Sequence, residues 1–158
     1  MTAAFSDRLT ALLRAGAPAI VMSVGADGFG HAAMTWAVAA DPVRAGSRLR
    51  FVVDHGSTTE ANLQRDNRTS LQLIGRDDLV ALLKGPARER RARIEAAPFP
   101  MAMWEMTVGE VKDQAWGPVA VAPLTYEWRG PEAEKLRRIE QAVLAELREW
   151  KGPNENNP

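Results

Sequence analysis

Between residues 19 and 129 the chain is a succession of short apolar runs, and most joints between them are too short for a parallel crossover. A parallel connection takes a dozen or more residues, usually a helix, whereas a short turn makes neighbouring strands run antiparallel. Residues 19–24 form the first run, and Ala26, Asp27 and Gly28 supply hairpin chemistry after it. Further strands are expected over 31–40, 49–53, 69–74 and 79–84, with Gly75, Arg76, Asp77 and Asp78 turning the last pair. Residues 101–113 alternate: Trp104, Met106 and Val108 face one way, Glu105 and Thr107 the other, with a bulge expected at Gly109. Residues 119–129 read as the last strand, bent or confined to a sheet edge by Pro123. The series predicts a mainly β protein, a six- to seven-stranded antiparallel barrel with flanking α-helices.

Helical spacing belongs to the ends. Residues 3–14 place Phe5, Leu9, Leu12 and Leu13 on one face, and Gly16 stops the helix. Pro131 opens a C-terminal helix at a first-turn position, with an apolar stripe of Leu136, Ile139, Val143, Leu147 and Trp150. The charged stretch 87–97 also reads as a helix, ended by Pro98, Phe99 and Pro100. Residues 151–158 have nothing to bury and are expected to form a disordered tail, leaving 1–150 as a single domain.

Charge and composition narrow the function classes. Lys plus Arg and Asp plus Glu each number 20, so the formal net charge is zero and no bulk field draws the chain to nucleic acid or an anionic membrane. The run Arg88, Glu89, Arg90, Arg91 and Arg93 reads as a solvated face, with Glu89 and Glu95 interleaved. Cysteine is absent, which removes thiolate metal sites, thiol catalysis and disulfides. With histidine only at positions 31 and 55, no metal site is expected. The N-terminus carries Asp7 and Arg8 inside its amphipathic pattern, unlike a signal peptide, and no apolar run reaches the ~20 residues of a membrane span. A cytoplasmic location is expected.

One helix interrupts the strand series, over 57–66, and it starts on three consecutive hydroxyls: Ser57, Thr58 and Thr59, just after Gly56. A helix N-terminus leaves backbone N–H groups free and attracts anions, phosphate above all. The alternative is that Ser57 or Thr58 only caps the helix. His55 sits next to this turn, where its charged form would pair with a phosphate. His31, at the start of a strand, reads as a surface residue.

The order of these features resembles the FMN-binding split-barrel family, which includes pyridoxamine 5′-phosphate oxidase and the small bacterial FMN-binding proteins. The resemblance rests on the Asp27-Gly28 turn, the strand from His31 through Trp36, and the run from Gly56 through Arg68. It covers residues 18–89, with looser agreement over Pro123, Leu124, Thr125, Tyr126, Glu127 and Trp128. Met34-Thr35-Trp36 and Thr59-Glu60-Ala61-Asn62 look closest to the small FMN-binding proteins. The resemblance implies that the backbone of Met34, Thr35, Trp36 and Ala37 lies along the flavin ring. It places Val52 and Val53 near the ribityl chain and Ser57, Thr58 and Thr59 on the phosphate. Trp116 is the candidate for stacking near the ring, from the partner subunit.

It further implies a homodimer with the cofactor groove at the interface and flavin-dependent oxidoreduction with a small-molecule substrate or electron donor. No catalytic side chain is named. Relatives usually place Lys or Arg at the position of Thr58 or Thr59, and the oxidases add basic residues where this chain has Ala33 and Val38. A lost cation removes about 1.5–3 kcal/mol of charge-assisted hydrogen bonding, unless Arg50, Arg68, Lys84 or Arg88 replaces it. The basic C-terminal motif of the oxidases is missing, so vitamin-B6 oxidase activity is not expected. The alternatives are a deazaflavin-coenzyme-dependent reductase using the same groove, and a cofactor-free ligand-binding dimer on the same fold.

Overall fold

The computed structural model describes residues 4–40 and 47–152. In chain order the elements are α1 (Asp7–Ala15), β1 (Ala17–Val24), β2 (Gly30–Ala40), β3 (Arg48–Asp54), α2 (Thr58–Arg65), β4 (Arg68–Ile74), β5 (Val80–Arg91), β6 (Met101–Thr107), β7 (Glu110–Asp113) and α3 (Ala133–Glu149). The expected loop at Asp41, Pro42 and Gly46, and the tail from residue 153 onward, lie outside the described residues. No helix among the described residues is long and apolar enough to cross a membrane.

All strand pairs are antiparallel. The sheet runs β4-β1-β2-β3-β6-β5-β7, and an added β4–β5 pairing closes six of the strands into a barrel. Alternation does the sorting: β1 buries Ala17, Ala19, Val21 and Ser23 and half-exposes the residues between them. Val21, Val38, Phe51, Leu71, Leu83, Trp104 and Met106 fill the interior, and Leu9 and Leu13 of α1 pack into the same cluster. A second cluster lies outside the barrel. There Val143, Leu144 and Leu147 of α3 cover Ala37, Ala39, Val52, Met101 and Met103. Ser6 caps α1 through its side chain, accepting from the Leu9 amide, and Gly16 ends the helix at φ 87°.

The structure departs from the sequence reading in four places. The helix expected over 87–97 does not form: residues 87–91 are the second half of β5, Ala87 opposite Met106 and Glu89 opposite Trp104, and residues 92–97 are irregular. Charged residues carry no period of their own there, and barrel closure decides the conformation. Residues 101–113 form two strands with different partners, β6 on β3 and the far half of β5, β7 on the near half of β5. The crossing is so close that a Cβ on Gly85 would sit 1.9 Å from the Thr107 carbonyl oxygen. Residues 119–129 form no strand. They cross the barrel as an irregular segment, tied by Leu124 N–H to the Ile74 carbonyl (3.0 Å) and Val121 N–H to Asp78 Oδ1 (2.7 Å). Pro123 deprives that segment of a ladder donor, and Pro118 precedes it. Finally, α3 begins at Ala133 behind Glu132, with Pro131 in the preceding turn and not in the helix.

Candidate functional site

The barrel is open along one seam. Strands β2 and β3 pair only at Val38 with Phe51, Ala39 with Arg50 and Ala40 with Leu49. On its other side β2 pairs with β1 from Gly30 onward, and its register slips between Thr35 and Val38, three residues against two on β1. That bulge re-aims the strand at Trp36 and Ala37, and β2 and β3 part there. The backbone edge of β2 at Met34, Thr35 and Trp36 therefore faces the end of β3 without a strand partner. One side chain spans the gap: the Thr35 hydroxyl donates to the Val52 carbonyl at 2.8 Å.

Val21, Ala33, Met34, Thr35, Trp36, Val52, Val53, Asp54, Ser57 and Thr59 line the resulting slit, whose volume is about 80 Å³. Trp36 forms one wall and is held from behind. Phe99 and Trp128 pack edge-on against it, with ring centroids at 6.4 and 6.0 Å. Trp128 Nε1 donates to Glu140 on α3 at 2.9 Å, the Tyr126 hydroxyl donates to the same carboxylate, and that hydroxyl lies 3.2 Å from the Trp36 carbonyl oxygen. Burial and the Glu140 carboxylate push the Tyr126 phenol well above its ordinary range, so it stays protonated.

The slit ends on the first turn of α2. Ser57 is the cap, its Oγ accepting the Glu60 amide at 3.1 Å. Glu60 reaches back to the Gly56 amide at 2.7 Å, a variant of the reciprocal capping box. The Thr58 and Thr59 amides have no acceptor among the described residues, as expected for the first helical positions. Thr59 is only 6% exposed, yet it lines the slit and its hydroxyl has no hydrogen-bond partner among the described residues. Among the described residues Trp104 Nε1 is the one fully buried side-chain polar atom without a partner, so the Thr59 oxygen opens onto the slit and is free to donate to a ligand.

No protein-family model and no curated protein sequence matches the chain. Solved structures do match. HupZ of Group A Streptococcus superposes with a TM-score of 0.58 at 12% identity, covering 70% of this chain and 94% of that one. An F420 reductase gives 0.57 at 14% identity, covering 70% and 100%. A candidate pyridoxamine 5′-phosphate oxidase from Lactobacillus delbrueckii gives 0.56 at 14% identity, covering 69% and 93%. The fold is the pyridoxamine 5′-phosphate oxidase-like split barrel.

In this split barrel the residues expected from sequence separate into two groups. Met34, Thr35, Trp36, Val52, Val53, Ser57 and Thr59 meet in the slit. Ala37 is fully buried beneath α3, and Thr58 is exposed on the other side of the helix start. Trp116 is 68% exposed and does not line the slit. His55 turns away from it: Nδ1 faces Glu60 Oε1 at 2.7 Å and Nε2 faces the Ala92 carbonyl. With acceptors on both ring nitrogens the imidazolium is favoured. The Ala92 carbonyl and then Glu60 raise the His55 pKa, with Glu89 adding a smaller effect.

The four cations considered as substitutes are engaged elsewhere or face away. Arg50 donates to Glu105 (3.1 Å) and the Leu147 carbonyl (2.7 Å), Arg68 pairs with Asp66, whose pKa it holds down to about 2, and Lys84 pairs with Glu110 at 3.4 Å. Arg88 is exposed on β5 opposite Glu105. Asp54 is the slit's one ionisable lining residue among those described. Sequence reasoning missed Val21 and Asp54, together with the Phe99, Trp128 and Glu140 support behind Trp36, and named Ala33 only as a position where the oxidases carry a basic residue. The adjacency of Asp54 to the Gly56 turn was a usable signal for that residue.

Proposed function

We propose that this chain binds FMN in the β2–β3 slit and serves as a flavin-dependent oxidoreductase, with a second copy of the chain covering the groove. The observation that carries the reading is the convergence of an unpaired strand edge, the Trp36 wall and the partnerless Thr59 hydroxyl in one cleft. An open strand edge can read the pyrimidine rim of a flavin through backbone groups alone. The first turn of α2 offers two free amides and a hydroxyl to a phosphate. FMN would supply the hydride or single-electron chemistry; the chain supplies orientation, hydrogen bonds and exclusion of water.

The slit of about 80 Å³ is far smaller than the several hundred Å³ of pockets that enclose a small molecule. A flavin seated there needs a further wall, and the outer sheet face beside it is apolar. Met34 is 52% exposed and lies opposite Ile20, with Met22 opposite Ala32 along the same strands. This face is the proposed dimer surface. A deazaflavin coenzyme is the second reading, favoured by the absence of Lys and Arg from the slit. The test is fluorescence titration of dialysed protein with FMN. A dissociation constant at or below about 10 µM supports the flavoprotein reading. No binding at ~1 mM FMN overturns it, and the deazaflavin coenzyme is then titrated in the same way.

A further inference from the structure

A second groove of about 580 Å³ opens on the far side of Ser57, the residue it shares with the slit. One wall is the β1–β2 turn, contributing Gly25, Asp27, Phe29 and His31; the other is a face of α2. Thr58, Ala61, Asn62 and Arg65 form that face, at the three- and four-residue spacing of a single helical stripe. At ~1.5 Å per residue the stripe is about 10 Å long.

Arg65 is pinned there by neutral acceptors. It donates to Asn62 Oδ1 at 3.2 and 3.3 Å and to the Val24 carbonyl, while Asn62 Nδ2 donates to the Ser23 hydroxyl at 3.1 Å. Ser23 and Asn62 are each 3% exposed, so the guanidinium rests on a buried, fully bonded support. No carboxylate among the described residues lies within ion-pair distance of Arg65. Its neighbour Asp66 is committed to Arg68, and Asp27 across the groove folds Oδ1 back onto the Phe29 amide at 3.0 Å. Asp66 feels the Arg65 charge only at longer range, and a preorganised guanidinium with no bonded carboxylate favours a planar anion. Facing the same groove, Phe29 is 75% exposed on its turn. An exposed ring alone means little, but beside a fixed cation it offers a surface on which a flat molecule can stack.

We infer that this groove binds a flat aromatic molecule bearing a carboxylate, with the ring against Phe29 and the anion on Arg65. This binding chemistry does not rest on the flavin reading of the slit. The test is calorimetric titration with naphthalene-2-carboxylate and with the neutral naphthalene-2-carboxamide, on FMN-free and on FMN-saturated protein. The carboxylate is expected to bind about tenfold or more tighter than the amide, a preference that falls to about twofold or less in Arg65→Gln. Phe29→Ala, at an exposed turn position and without folding risk, weakens both compounds several-fold. Both variants keep the wild-type FMN affinity. Equal affinity for acid and amide, binding of neither at ~10 mM, or a charge preference that survives Arg65→Gln overturns the proposal. Acid preference in a protein that fails to bind FMN supports the groove and counts only against the flavin reading of the slit.

Discussion

Replacing Thr59 by Val separates a ligand-binding hydroxyl from a structural one. The side chain is nearly isosteric and remains β-branched, so helix propensity hardly changes. Within the protein the hydroxyl bonds to nothing among the described residues, so its removal breaks no internal interaction. The FMN-free protein should keep its stability to within about 0.5 kcal/mol, because the hydroxyl removed opens onto the slit and bonds to nothing in the protein. Binding should respond in the other direction. A hydroxyl donating to a phosphate dianion is a charge-assisted hydrogen bond, worth about 1.5–3 kcal/mol, so the FMN dissociation constant should rise about 10- to 100-fold. Riboflavin, which has no phosphate, should bind wild type and variant alike.

Ser57→Ala provides the contrast within one helical turn. Ser57 Oγ accepts the Glu60 amide, and loss of that cap should cost about 1 kcal/mol of stability with or without ligand. The assay is a pair of fluorescence titrations, FMN and riboflavin, with thermal melts of each ligand-free variant. An FMN constant in Thr59→Val within about twofold of wild type would refute the phosphate placement. Equal losses for FMN and riboflavin would refute it as well, since the hydroxyl would then act on the groove and not on the phosphate.

Three further outcomes are expected. Asp54→Asn removes a negative charge from the slit and should tighten FMN about two- to fivefold at low salt, with less gain at high salt; unchanged or weaker binding counts against a phosphate beside it. His55 has a raised pKa, so its bonds to Glu60 and Ala92 contribute fully below the ordinary value of 6.5 and fade as pH rises through the folded-state value. The melting-temperature gap between wild type and His55→Gln should therefore be largest near pH ~5–6 and shrink toward pH ~9, and a pH-independent gap would reject the imidazolium bridge. Gly85→Ala forces a Cβ to 1.9 Å from the Thr107 carbonyl oxygen and should cost about 3 kcal/mol or more, read as lost denaturant stability; a near-neutral effect would contradict the close crossing of β5 and β6.

Much of the barrel is written in local chemistry. The alternation in β1 and the three- and four-residue stripe of α3 each carry their own physical signal and form where expected, whereas α1, expected over 3–14, starts only at Asp7 because Ser6 caps it and leaves Phe5 outside the helix. The failures occur where a distant partner decides. Residues 87–91 have helix-compatible composition but complete β5 between β4 and β6. The partner exchange between β6 and β7 depends on Gly85, far away in sequence, and the segment 119–129 carries Pro123 within it and Pro118 just before it. The slit shows the same division. Ser57 and Thr59 were legible as a helix start, but whether each would cap or face outward was not. The support behind Trp36 could not be read at all, since Phe99, Trp128 and Glu140 come from three separate parts of the chain.

The slit and the helix start are consequences of one backbone event. If β2 and β3 stayed paired beyond Val38 and Phe51, the edge of β2 would be spent on its neighbour and Trp36 would have no cleft to face. The bulge prevents this by shifting β2 by one residue against β1, which places Val38 and Ala40 in the barrel and leaves Thr35 to reach Val52. Once β3 has separated, it ends at Asp54, and the Gly56 turn (φ 74°) directs α2 back so that its first turn closes the slit. A site made this way needs few polar side chains, because strand edge and helix terminus both present backbone groups. That accounts for a cleft with neither Lys nor Arg among its lining residues that still offers donors to an anion. It also explains why substituting the side chains that line it should tune affinity, whereas restoring the β2–β3 ladder should abolish the site.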